Sequence, residues 1–100
     1  MCEDPMFIVL LRFSANKGQA GRLMEGHKDW IKRGFDDGVF LLTDSLLPSS
    51  GGSIVAHNTT LPDLQKRLDA DPFVAENVVS AEILQIAPSK ADARLDFLLA

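Results

Sequence analysis

The stretch Met6-Phe-Ile-Val-Leu-Leu-Arg-Phe13 decides how this chain is read. It is rich in β-branched and aromatic residues and reads as the first strand. Side chains alternate between the two faces of a strand, so Phe7, Val9, Leu11 and Phe13 point one way and Met6, Ile8 and Leu10 the other. A sheet with one covered face and one wet face shows apolar and polar residues in turn. Here both faces are apolar, and the start of the second strand, Val39 to Leu42, repeats the pattern. Helices can cover only one face. The other calls for a second apolar surface, most economically the same sheet of another copy, and the expectation is a homodimer with two sheets face to face.

Outward from that strand, a turn over residues 14–18 leads into a helical pattern over about 16–37, with Ala20, Leu23, Met24, Trp30, Ile31 and Phe35 on one stripe. Gly21, Gly26 and Gly34 each weaken this helix by about 1 kcal/mol against Ala. Tertiary packing must therefore hold it, and Gly26 reads as a close helix–sheet contact. Asp37-Gly38 ends the helix. A second strand spans 39–47, a Pro-Ser-Gly loop 48–52, and a third strand 53–58. Thr60 with Asp63 three residues on opens the next helix, Pro62 sits in its first turn, and Leu61, Leu64 and Leu68 form its apolar stripe. Asp71-Pro72 restarts a helix to about residue 77. A fourth strand covers 78–87, and a tail over 89–100 carries Ala91, Leu95, Leu98 and Leu99 at helical spacing. The order βαββαβ predicts one α+β domain over residues 1–100, with a core over 6–88. Its architecture is ferredoxin-like: a four-stranded antiparallel sheet, two helices on one face and a short C-terminal helical tail.

The composition narrows the function. With 24% charged residues, a net charge of −4 and no basic run longer than Lys32-Arg33, the chain lacks the basic face that nucleic acid or an anionic membrane demands. Residues 7–11 are too few to span a bilayer, and residues 1–5 lack the basic start and apolar core of a signal peptide, so a cytoplasmic protein is expected. The one cysteine, Cys2, excludes an internal disulfide and a multi-cysteine metal site, and lies in what reads as a frayed terminus.

His27 carries most of the chemistry. It falls on the apolar stripe of the first helix, and an inward imidazole needs a hydrogen-bond partner. The best partner in sequence is Asp71, because the loop after the second helix of a βαββαβ unit passes the middle of the first. A carboxylate there fixes the imidazole tautomer and makes a general acid or base. Capping is an equally complete account of Asp71, since Asp followed by Pro is a helix start in its own right. Arg12, near the end of the first strand, is a candidate for substrate binding or for a solvated strand end. Asp44, a carboxylate in mid-strand, is a candidate cleft residue. Trp30 and Phe73 are candidate aromatic walls for a ligand, with core packing as the simpler role. Two histidines without metal-ligand spacing make no zinc site, the serines have no adjacent base, and the Gly51-Gly52 loop matches no phosphate-binding pattern. No metal and no cofactor is expected.

Over about residues 6–88 the chain resembles the YCII-related (YciI-like) proteins. The resemblance is carried by the apolar first strand, the helical His27, the Gly38-Val-Phe-Leu-Leu stretch, the Gly51-Gly52 loop before Ser53-Ile-Val, and Asp71-Pro-Phe followed by a strand ending Ile86-Ala-Pro. It implies a dimeric α+β barrel of ferredoxin-like subunits, a His27–Asp71 pair in a pocket, and kinship with small enzymes that remove halide from, or isomerise, ring-derived substrates. The chain departs from the family where Met24 stands in place of a frequent Arg and where Thr43-Asp44 replaces a small residue and Gly. Two functions follow as expectations. One is a cofactor-independent lyase or isomerase acting on a small polar or aromatic-derived molecule, with His27 moving the proton and Asp71 orienting it. The other is a non-catalytic module that binds a small ligand or a partner.

Overall fold

The Met6–Phe13 stretch forms β1, an interior strand of the sheet in the computed structural model, which describes residues 5–99. Cys2 lies outside the described residues. The sheet is antiparallel and four-stranded, in the order β2-β3-β1-β4, with β2 at Phe40–Leu46, β3 at Gly51–Ala56 and β4 at Val79–Ile86. A 3-10 turn (Lys17–Gln19) precedes α1 (Ala20–Asp36); α2 is Leu61–Asp69 and α3 is the single turn Pro72–Ala75. This is the connectivity and strand order of a ferredoxin-like fold.

The barrel implied by the family resemblance is overturned. Among the described residues β2 pairs only with β3, and β4 only with β1. Both outer strands keep a free edge, so the sheet is open, whereas a barrel leaves no edge unpaired. The apolar second face of β1 does not curl onto itself. It lies with Leu42, Val55, Leu84 and Ile86 on a helix-free surface, where Leu42 is 52% exposed.

Under the helices the alternation works as the pattern predicts. Phe7, Val9 and Leu11 are buried, as are Ile54 and Ala56 opposite them in β3. Leu64 and Leu68 of α2 are fully enclosed, each contributing about 1.5–3 kcal/mol by burial. Leu61, expected on the same stripe, is largely exposed at the helix start. Thr60 caps that start by accepting from the Asp63 N–H at 3.2 Å. At the other end of α1, Gly38 adopts φ +74°, and the Gly38 and Val39 N–H groups donate to the Phe35 and Gly34 carbonyls, which closes the helix. Trp30 is the pin between α1 and α2: it is buried, its Nε1 donates to the Arg67 carbonyl at 2.8 Å, and its ring meets Phe40 edge-on.

Two details differ from the sequence expectation. β3 begins at Gly51 rather than Ser53, because Gly51 takes φ +129° and passes so close to β1 that a Cβ would lie 1.9 Å from the Leu11 carbonyl oxygen. The tail is helical over Ala93–Leu99 but as 3-10 turns broken at Leu95, with Phe97 edge-on to His57. None of the helices among the described residues is long and apolar enough to cross a membrane.

Candidate active site

α1 passes close to α3 at Gly26. A Cβ there would meet the Pro72 ring at 3.1 Å, so the missing side chain lets the helix settle against the Asp71-Pro72 turn. The expected contact with the sheet is thus a contact with the next helical turn. It brings the neighbouring His27 to Asp71, 44 positions along the chain: Nδ1 and Oδ1 lie 2.8 Å apart.

Asp71 is completely buried, and the His27 side chain is 14% exposed. The same Oδ1 also accepts the Phe73 N–H at 3.1 Å, so one oxygen both caps α3 and holds the imidazole. The other oxygen, Oδ2, has no partner among the described residues. Phe73 lies flat on the imidazole, with ring centroids 4.0 Å apart and planes 4° from parallel, and Trp30 stacks near it at 5.9 Å. The imidazole is therefore held by a carboxylate at one nitrogen and by a flat ring against its face. With Nδ1 donating to Asp71, Nε2 carries the lone pair and has no protein partner among the described residues.

His27 and Phe73 line a cavity of about 210 Å³. Its walls are mostly apolar, from Leu11, Phe13, Met24, Ile31, Ile54 and Val79. Ser45 and the Gly51-Gly52 corner of the β2–β3 hairpin complete it. In sequence Ser45 has no adjacent base to mark it as reactive. Its place is legible only through its pairing with Gly52, which turns it toward the helices.

The other candidates are placed elsewhere. Arg12 alternates with Leu11 and Phe13, so it points to the helix-free face, where it pairs with Glu82 at 2.7 Å. Asp44 borders the cavity, but its register opposite Ser53 directs its side chain to the helix-free face. There it accepts from the Ser53 hydroxyl at 2.7 Å and from the Ser53 N–H at 3.1 Å. Trp30 is core and lines a separate groove beside Arg33 and Lys66 instead of the His27 cavity. Two displaced titrations lie away from the cavity: Asp36 holds the Lys32 ammonium above its ordinary value, and Arg94 holds the Asp92 carboxyl below its own. Among the described residues no cluster of three or more His, Cys, Asp or Glu is arranged to hold a metal ion.

No family model and no curated protein matches the chain. A solved structure does: 5-chloro-2-hydroxyhydroquinone dehydrochlorinase from Burkholderia phenoliruptrix AC1100, in complex with 2,5-dihydroxybenzoquinone, is similar with a TM-score of 0.63 and 9% sequence identity. The match covers 90% of this chain and 97% of that one. At that identity what the two share is the fold.

Proposed function

We propose that this protein is a cofactor-independent lyase or isomerase of the YCII-related kind, acting on a small polar or aromatic-derived molecule through His27. The observation that carries the reading is the 2.8 Å bond between His27 Nδ1 and the buried Asp71 Oδ1, made at the wall of a cavity. Asp71 keeps the proton on Nδ1 and stabilises the imidazolium that forms when Nε2 accepts a proton from the substrate. The electron pair left behind either expels a leaving group, which departs with its bonding pair, or is reprotonated at another atom by the same imidazolium. The first outcome is elimination and the second is isomerisation. A fold shared with a dehydrochlorinase supports the first.

The apolar helix-free face, with Ile8, Leu10, Leu84 and Ile86, supports a homodimer in which a second copy covers it. A second reading has an observation of its own. Asp71 Oδ1 caps α3 through the Phe73 N–H, as a purely structural aspartate would, and that favours a small-ligand-binding module without catalysis.

Chloride release from chlorinated hydroquinones, followed for the wild type and for His27→Gln, separates the two. The catalytic reading expects turnover that falls by about 10²-fold or more in the variant. Wild-type turnover in His27→Gln, on a substrate the protein does convert, sinks it. Sedimentation tests the dimer: the expected mass is twice the 10.9 kDa of the chain, and a monomer at micromolar concentration removes that part of the proposal.

A further inference from the structure

We infer that the His27 cavity selects an uncharged single-ring ligand and rejects carboxylates and phosphates, with Met24 as the residue that sets this preference. The inference deepens the proton-transfer reading of His27 and rests on it.

Size comes first. An apolar protein cavity of about 150 Å³ accommodates benzene. A volume of about 210 Å³ therefore suits one six-membered ring with one or two small substituents. The walls match such a ligand, since Phe73, Ile31, Leu11 and Met24 present carbon or sulfur to it.

Charge comes second. Among the described residues no Lys or Arg lines the cavity. Of the described residues that line it, only His27 can carry a positive charge, and that charge, when present, is matched by Asp71 at 2.8 Å. Asp44 borders the cavity with its backbone side only, since its carboxylate lies on the helix-free face with the Ser53 hydroxyl. Arg12, which alternation sends to the opposite face, is tied to Glu82. Lys17 does not line the cavity, and its ammonium sits over the ring of the lining residue Phe13, 4.8 Å from the centroid. An anion entering this space would lose water and gain no partner charge. A neutral hydroxyl or amide can donate to His27 Nε2 or bond Ser45 without that loss.

Met24 lies one helical turn before His27 and is 37% exposed at the cavity wall. A long side chain starting there can reach the interior from solvent. The thioether makes this wall apolar and adaptable. A guanidinium at the same position would place a cation where the cavity has none, and the partial exposure leaves room for it without disturbing the core.

The test uses two ligands of nearly identical shape that differ in charge, 4-hydroxybenzamide and 4-hydroxybenzoate. Each is titrated at pH 8 into the full chain and into Met24→Arg, with NMR shifts followed at residues 24, 27 and 73. The expected result is that wild type binds the amide at least about tenfold tighter than the acid, as an unpaired desolvated charge demands, and that Met24→Arg reverses the order. Equal or tighter binding of the acid by wild type, with His27 perturbed, overturns the charge selection and leaves the His27 site standing; a swing of Lys17 into the cavity would have this effect. An unchanged preference in Met24→Arg overturns the role of Met24. If neither compound moves His27, both the selection and the proposed site fall; an acid that moves only the groove residues Thr60 and Lys66 while the amide moves His27 upholds the selection.

Discussion

Replacing Asp71 by Ala and by Asn separates a helix cap from a dyad. In Asp71→Ala the Phe73 N–H loses its acceptor at 3.1 Å and the His27 Nδ1 loses its acceptor at 2.8 Å. Loss of the cap is worth about 1 kcal/mol. A ring N–H left without its partner costs about 1–3 kcal/mol, at the low end because the imidazole keeps some contact with solvent. Removal of the partnerless Oδ2 offsets part of this. The expected destabilisation is about 1–2 kcal/mol. Asp71→Asn behaves differently. Its carbonyl oxygen can occupy the Oδ1 position and keep both bonds, while its amide inherits the Oδ2 position, which already lacks a partner. Only the charge assistance disappears, so about 1 kcal/mol is expected. Urea unfolding with linear extrapolation measures both changes. Adding His27→Ala and the double variant closes a thermodynamic cycle, in which the His27–Asp71 coupling should reach about 1 kcal/mol or more. Additivity within about 0.3–0.5 kcal/mol would refute it, leaving Asp71 as a cap that happens to lie near a histidine.

Gly34→Ala tests the packing that holds α1. The new Cβ would fall 2.1 Å from Cδ2 of the buried Phe40 ring, so overpacking of about 1–3 kcal/mol outweighs a helix-propensity gain of about 1 kcal/mol. A variant as stable as wild type in urea would contradict that close approach. Arg94→Ala tests the tail. The Arg94 side chain, and then its backbone N–H, hold the Asp92 carboxyl below the ordinary carboxylate range. Such a depressed group contributes above its unfolded value and loses that contribution as pH falls through the folded one. The variant should therefore raise the Asp92 midpoint part of the way back in an NMR titration, with the backbone bond retained, and an unmoved midpoint would show that the guanidinium is not engaged.

Much of the fold is local and was open to reading from the chain alone. The period of two in Met6–Phe13, the stripe of α1, the Thr60 and Asp71 caps and the Gly38 stop are interactions among neighbours in sequence, and each forms where its pattern stands. The same parity already sends Arg12 to the face opposite Leu11 and Phe13. His27 was marked by its place on the stripe and Asp71 by its cap. The βαββαβ order also names Asp71 as the partner of His27, but whether the two bond depends on how closely α1 and α3 approach, and that approach is set by Gly26 against Pro72 across 44–46 positions of chain. Asp44 shows the same limit more sharply. The register of β2 shifts between Phe40 and Leu42, so one residue is left over and every later side chain changes face. Ser45 is thereby turned to the cavity and Asp44 away from it. A bulge of this kind follows from how two strands pair, not from the residues of either one, and so only the tertiary structure decided which polar groups share a wall with His27. The open sheet has the same origin: apolar residues on both faces of β1 say that a second surface is wanted, while the pairing of β2 and β4 at the edges determines that this chain does not close on itself to provide it.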